Sequence, residues 1–195
     1  SFHGSDRYIM DYLVEQVLQR LPADLRGFLC QIAVLERMFA PLCDALTGRE
    51  DSSVLLAEID AANSFLVPLD RKGEWFRFHH LAADLLRLEL EPDLQAALHR
   101  RAAGWLAANG CLPEAIHHAL AAGDPRWAAD LIRQAAPALL RTSELRTLLR
   151  WIEGLPAELV QGDLELGSYK ALALFFSGEV GQAAACLDVL ASSAP

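Results

Sequence analysis

The chain is short of the features by which most enzymes and nucleic-acid binders are recognised. Its 195 residues contain no G-x-x-x-x-G-K-[ST] loop, so a glycine-rich backbone cradle for ATP phosphates is absent. The four cysteines, Cys30, Cys43, Cys111 and Cys186, show no C-x-x-C spacing. That spacing argues against a zinc site and leaves small buried hydrophobes in a reducing, cytoplasmic compartment as the expectation. Cations are in deficit: 17 Lys and Arg stand against 26 Asp and Glu, a net charge of −9. Both parts share the sign, with 9 basic and 15 acidic residues in 1–92 and 8 against 11 in 93–195. Neither carries the surplus that a phosphate backbone demands, so no direct nucleic-acid binding is expected.

Long apolar runs are missing too. No stretch reaches the ~20 uncharged apolar residues of a membrane span, so the mean hydropathy of +0.19 reflects a protein core and no membrane partner is expected. Ser1 to Asp6 has neither a basic nor an apolar region, so it is not a signal peptide and reads as a linker start. Finally, no nucleophile–base pair or carboxylate dyad occurs at helical spacing. Ser5, Ser64 and Ser143 look like caps, and the chain is expected not to be an enzyme.

What is present is alanine, leucine and punctuation. Asp6 to Arg20 has an apolar stripe of Met10, Val14, Val17 and Leu18, and Pro22 separates it from a second helix with Leu25, Phe28, Leu29 and Ile32. A third helix runs from Pro41 to a C-cap at Gly48, and Asp51-Ser52-Ser53 offers an N-cap for a fourth, over 54–62. Phe65 to Leu69 and Trp75 to Phe78 then flank the polar turn Asp70-Arg71-Lys72-Gly73, a hairpin signal. His79 to Leu90 returns to helical spacing, with Leu81, Leu85 and Leu88 predicted on one side. Pro92 breaks the pattern and Asp93 can cap the next helix.

Beyond that point only helices are predicted, and they repeat. Gly110 and Gly178 are each followed, five residues on, by Ala115 and Ala183. They lie 68 residues apart, twice the 34-residue tetratricopeptide period. A middle turn is therefore predicted near Glu144, where Arg141-Thr142-Ser143-Glu144 lacks the glycine. The fold class is mainly α. A winged-helix-like module with a small β-hairpin wing spans 1–92, and an α-α superhelical, tetratricopeptide-like array, cut through a longer one, spans 93–195. An uncapped last repeat predicts exposed apolar surface at Phe175, Phe176 and Leu187 and possible self-association.

Four stretches in order carry a family resemblance: Tyr8 to Glu15, Ala40 to Gly48, Asn63 to Asp70, and Phe76-Arg77-Phe78-His79-His80-Leu81. Together they resemble the winged-helix module of the large ATP-dependent LuxR-type transcriptional activators, the MalT group of the STAND ATPases. The resemblance covers about residues 5–153. At Ala82 the family's His-His-Leu-Phe motif usually has an aromatic residue.

The resemblance implies an upstream nucleotide-binding domain as a partner and a repeat domain that binds a small-molecule inducer or a protein. It also implies a C-terminal helix-turn-helix through which the parent protein binds DNA. ATP and ADP are implied for the parent, with no cofactor held by these residues alone. It further implies a role for His79 as a nucleotide sensor near the β-phosphate of ADP, holding the closed state. A helix N-terminus that favours anions suits this chemistry.

Other residues read more plainly. The would-be recognition helix holds Glu58 and Asp60 and no cation, the wrong sign for DNA. His117 and His118 are adjacent and point about 100° apart, unlike a metal pair, and no metal site is expected. His99, Arg100 and Arg101 read as a solvated helix face. The expected function is a regulatory signal relay in a LuxR-type regulator. Alternatives are the regulatory arm of a signalling kinase or cyclase, and a free-standing helical-repeat adaptor.

Overall fold

The computed structural model describes residues 21–62 and 66–193. The expected helix over 6–20 lies outside them, as do Asn63, Ser64 and Phe65. The chain forms two compact units, Ser1–Trp105 and Leu106–Pro195, each taken separately below.

In the first unit, local chemistry sets most helix ends. Pro22 precedes α1, Ala23–Ile32, where its missing N–H costs nothing. Helix α2, Ala40–Thr47, has Pro41 in its first turn and ends on Gly48 in the left-handed region, whose N–H bonds to Asp44 O at 2.8 Å. Helix α3, Ser52–Ala62, starts after Asp51, whose carbonyl accepts from Val54 and Leu55. Two short strands follow, β1, Leu66–Pro68, and β2, Phe76–Phe78. They pair antiparallel with Leu66 opposite Phe78 and Pro68 opposite Phe76. Asp70 Oδ1 accepts the N–H groups of Glu74 and Trp75 inside the turn, and Gly73 supplies the positive φ of 65° that the turn requires.

On its other edge β2 meets Met38. The Phe76 N–H donates to Met38 O at 2.9 Å, and the Met38 N–H donates to Phe76 O at 2.8 Å. Since both main-chain groups of Phe76 are turned toward Met38, its partner Pro68 needs no N–H. The prolyl residue in β1 therefore breaks no ladder bond.

Helix α4, His80–Leu88, follows β2 directly. Its buried residues are Ala82, Ala83 and Leu86, which corrects the predicted stripe of Leu81, Leu85 and Leu88. Leu88 is 81% exposed. The helix is rotated so that small side chains face inward, and Ala82 is fully enclosed. Helix α5, Pro92–Ala108, begins on Pro92 itself, two residues earlier than a cap at Asp93 implies.

Arginines close this unit. The Arg87 Nε donates to Ala33 O at 2.7 Å, and Arg101 Nη1 donates to Leu46 O at 3.1 Å, satisfying carbonyls at the C-terminal ends of α1 and α2. Arg26 makes a two-point contact with Glu89 at 2.9 and 2.7 Å. This pairing holds the Glu89 carboxyl below its usual range. His99, expected on a solvated face, is buried beside Leu98, Ala102 and Ala103, while Arg100 and Arg101 remain exposed. The inward face of α5 is wider than a leucine count suggests.

The second unit is helical throughout its described residues. It contains α6, Leu112–Ala121; α7, Pro125–Arg141; α8, Leu145–Glu153; α9, Ala157–Gln161; α10, Leu164–Phe176; and α11, Val180–Ser193. Neighbouring helices pack as α6 on α7, α7 on α8, α10 on both α7 and α8, and α11 on α10.

The connections share one hydrogen-bond plan. Cys111 N–H reaches Leu106 O, Glu144 N–H reaches Leu139 O, and Glu179 N–H reaches Leu174 O, each at 2.9 Å. In every case the preceding residue is left-handed: Gly110 at φ 76°, Ser143 at φ 61° and Gly178 at φ 86°. The middle turn predicted near Glu144 is thus centred on Ser143, a non-glycine residue in a glycine position.

Asp163 fixes the start of α10. Its Oδ1 accepts from Glu165 and Leu166 N–H at 3.1 and 3.0 Å. Arg133 of α7 pairs with Asp163 and with Asp130. Close to that start, Gly167 of α10 faces Leu190 of α11, and a Cβ on Gly167 would overlap the Leu190 methyls. Small residues at such crossings let helix backbones approach.

Two stability predictions arise here. Ser143→Gly relieves the left-handed penalty and should raise unfolding stability by about 1 kcal/mol in a urea titration. Gly167→Ala gains up to about 1 kcal/mol of helix propensity but must displace Leu190, so a net loss of about 1–2 kcal/mol is expected. Adding Leu190→Ala should then cost less than the two single losses together, measured as a double-mutant cycle.

Candidate functional site

The sequence singles out His79, and the structure places it at a junction. Phe76 and Phe78 are buried while Arg77 is exposed, so β2 alternates with period two. His79 continues this extended course, at φ −61° and ψ 134°, and occupies the N-cap position of α4. Trp75, Arg77 and His79 therefore fall on one face of the strand and its extension. The His79 carbonyl accepts the N–H of Ala83 at 3.1 Å, but its side chain makes no capping bond.

The imidazole is partly enclosed. Its Nδ1 is buried without a hydrogen-bond partner, one of two such side-chain atoms among the described residues, the other being Ser52 Oγ. The ring of His80 lies 4.5 Å away, centroid to centroid. Burial, reinforced by the neighbouring His80 and Arg77 charges, pushes the His79 pKa below the ordinary imidazole value. His79 thus tends to be neutral near pH 7, with one nitrogen a donor and the other an acceptor.

An anion would meet a coherent environment at this point. The first turn of α4 leaves N–H groups without intrahelical partners and carries partial positive charge. Arg77 and His80 stand on either side in sequence, and both are exposed. The residues present fit a phosphate group: a helix start, an imidazole with an unpartnered nitrogen, and a flanking guanidinium.

The other residues singled out do not join this site. His117 is exposed and His118 buried, with ring centroids 5.5 Å apart on α6. Among the described residues no group of three metal-ligating side chains comes together. Cys30 and Cys43 are buried, and burial pushes their thiols up to about 11 and about 12, keeping them protonated. Cys111 and Cys186 are half-exposed, a departure from the expected burial of Cys186. The exposed face of α3 shows Glu58 and Asp60. No described helix is long and apolar enough to cross a membrane.

The second unit offers two concavities. A polar cleft of about 380 Å³ lies at the turns, between Ser143, Glu144, Arg146, Thr147, Ser177 and Glu179. An apolar groove of about 450 Å³ lies along α10 and α11, lined by Leu172, Phe175, Val180 and Leu187 among others. Phe175, Phe176 and Leu187 are more than half exposed, as the sequence predicts.

Sequence reasoning missed the aromatic group beside the wing. Phe39, Trp75 and Trp105 come together from three separate segments, with centroids 4.2 Å apart for Phe39–Trp75 and 5.4 Å for Phe39–Trp105. The alternation Trp75, Arg77, His79 puts Trp75 in the same row as the histidine, but no sequence signal gives its meeting with Phe39 and Trp105.

Comparison with known proteins adds the following. The family model for the MalT winged helix domain matches residues 14–98. The serine/threonine-protein kinase PknK of Mycobacterium tuberculosis strain H37Rv is 41% identical over 160 residues, covering 80% of this chain and 14% of the kinase. The HTH-type transcriptional regulator MalT of Yersinia enterocolitica is 38% identical over 168 residues, covering 84% of this chain and 18% of the regulator. MalT of Yersinia pestis strain Pestoides F is similar to the same extent. The chain thus spans less than a fifth of the curated relatives it matches.

The environment of His79 has a thermodynamic consequence. A pKa below the unfolded value means the unfolded chain binds the proton more readily, so this contribution is present above the unfolded pKa and is lost as pH falls through the folded one. Unfolding stability measured from pH 7.5 down to 5 should fall more steeply for the native chain than for His79→Gln. Parallel curves for the two proteins would contradict the burial effect.

Proposed function

Since this chain carries a winged helix domain of the MalT family, as part of a MalT-type fragment, we propose that it is the signal-relay segment of an ATP-dependent, LuxR-type transcriptional regulator. In this reading the winged helix reports nucleotide state, and the helix pairs of 106–193 begin a tetratricopeptide-like surface for an inducer or protein partner. The parent protein is a cytoplasmic STAND ATPase whose upstream nucleotide-binding domain supplies the phosphate cradle and hydrolyses ATP. The fragment itself is non-catalytic and holds no nucleotide alone. DNA is bound by a helix-turn-helix elsewhere in the parent, consistent with the acidic face of α3.

The observation that carries the reading is the unpartnered Nδ1 of His79 at the N-terminal end of α4. A buried polar atom without a partner costs free energy, and a ligand that supplies one recovers it. His79 would contact the terminal phosphate of a bound nucleoside diphosphate, with α4's first N–H groups and Arg77 adding positive potential. ADP supplies the anionic charge in that arrangement. Contact in one arrangement and not the other biases the balance between closed and open forms by the differential affinity alone. Inducer and ATP would then favour the open, oligomerising form.

The kinase relative supports a second reading, in which the same segment is the regulatory arm of a signalling enzyme. PknK matches at 41% identity, no less closely than MalT does. The relay chemistry is the same in both; the readings differ only in the effector that follows.

In the full-length protein, His79→Ala is expected to weaken ADP retention, by about tenfold for a charge-assisted bond of about 1.4 kcal/mol or more, and to raise basal activation. Equilibrium dialysis with labelled ADP and a basal reporter or phosphorylation assay measure the two effects. Unchanged ADP affinity together with unchanged basal output would remove His79 from the switch.

A further inference from the structure

The row Trp75, Arg77, His79 has an anchor at one end and the candidate sensor at the other. Trp75 sits on the turn side of β2, and its ring lies on Phe39, with centroids 4.2 Å apart and planes inclined by 33°. Phe39 is the N-cap residue of α2 and directly follows the segment that includes Met38, the residue bonded to Phe76. The second contact of Phe39 is edge-on to Trp105 at 5.4 Å, with planes at 68°. Trp105 belongs to α5, the helix that runs on to Ala108. Aromatic pairs in tilted and edge-on arrangements are geometrically specific, so a shift of one ring is felt by the next.

We propose that Trp105 and Phe39 are positioning residues for His79: the aromatic clasp Trp105–Phe39–Trp75 ties the register of β2, and with it the imidazole at the start of α4, to the placement of α5. It rests on the reading of His79 as the nucleotide-sensing group and deepens it by naming the route by which α5 and that group influence each other.

Three features make the clasp more than filler. First, Trp75 is 37% exposed and Phe39 and Trp105 are half-buried. The cluster therefore lies outside the enclosed core of Phe28, Ile32, Leu46 and Leu86. Removing one ring loosens a contact without opening the core. Second, β2 is short and held at Phe76 by Met38 and at Phe78 by Leu66. Trp75 and His79 flank it on either side, so the pairing that fixes the strand also fixes both. Third, Leu69 N–H donates to Trp75 O at 2.8 Å, so displacing Trp75 also disturbs the hairpin register. The wing and α5 are thus joined by a continuous chain of packed rings, the kind of contact through which energetic coupling is carried.

The test follows the His79 ring resonances by NMR as a function of pH in the 195-residue chain, with His79→Gln providing the assignment. Trp105→Leu fills the space without an aromatic edge, and Phe39→Leu breaks both contacts from the middle. Either variant is expected to move the His79 titration midpoint upward by a few tenths of a pH unit, toward the ordinary imidazole value, as enclosure of the ring relaxes. Trp105→Phe, which keeps an edge, should restore the native midpoint. A fold role alone would lower the melting temperature and leave the midpoint unmoved. The proposal is overturned if either leucine variant is folded, with the same cooperative unfolding transition as the native chain run beside it, and titrates His79 at the native midpoint. The outcome is separable from the nucleotide role: a moved midpoint with intact ADP retention in full-length His79→Ala keeps the clasp and discards the sensor, and an unmoved midpoint with lost ADP does the reverse.

Discussion

The placement of everything of functional interest in the first unit depends on how Phe76 bonds. Its N–H and its carbonyl both engage Met38, which turns its other edge toward Pro68, at a position where a missing N–H costs nothing. That pair of bonds fixes which way β2 faces. Phe76 and Phe78 then point inward and Trp75, Arg77 and His79 outward. A slip by one residue would bury Arg77 and expose both phenylalanines. The register of a three-residue strand therefore decides on which face the imidazole reaches the start of α4.

The ends of helices were readable from composition because they rest on single-residue chemistry. Pro22, Pro41 and Pro92 sit where a missing N–H is harmless, and Gly48, Gly110 and Gly178 adopt the left-handed conformation that closes a helix. Faces were less readable. On α4, three leucines at helical spacing point to one side, yet Ala82, Ala83 and Leu86 occupy the buried one, because alanine fills an inward face without standing out in a leucine pattern. His99 was assigned to solvent by its polar neighbours Arg100 and Arg101, although a helix turns by about 100° per residue and adjacent positions need not share an environment. The unpartnered Nδ1 of His79 and the meeting of Phe39, Trp75 and Trp105 are long-range facts. No local pattern encodes them.

Repetition in the second unit rests on geometry more than on residue identity. Gly110, Ser143 and Gly178 make the same turn with the same terminal hydrogen bond, though only two of them are glycines. Ser143 bears a conformational cost of about 1 kcal/mol or more for this, so the tertiary contacts around it must outweigh local preference. Those contacts are visible. Leu148, Leu149, Trp151 and Ile152 of α8 are all buried, in a helix that packs on both α7 and α10. Where a glycine is used inside a helix, at Gly167, the reason is different: Leu190 occupies the volume that any Cβ would need. One glycine type serves backbone conformation and the other serves approach, and only the first leaves a sequence signature at a turn.

Charge makes the imidazole at the wing more specific than its surroundings suggest. The chain is acidic overall, so long-range attraction for anions is weak and any phosphate contact must be made by short-range geometry. His79 is held toward its neutral form by burial and by two cationic neighbours. In the proposed contact, an anion at the start of α4 would offset that repulsion and supply the missing partner, so its effects on the proton and on the hydrogen bond would have the same sign. A hydrogen bond to a charged group contributes about 1.5–3 kcal/mol, and about 1.4 kcal/mol corresponds to a tenfold change in a two-state ratio. In the proposed switch, one such contact at His79 would shift a two-state ratio by about one to two orders of magnitude. The junction is also the point where β2 hands over to α4, so in that switch the shift would act on a helix whose far end is fastened to α1 through Arg26 and Glu89 and through Arg87 and Ala33.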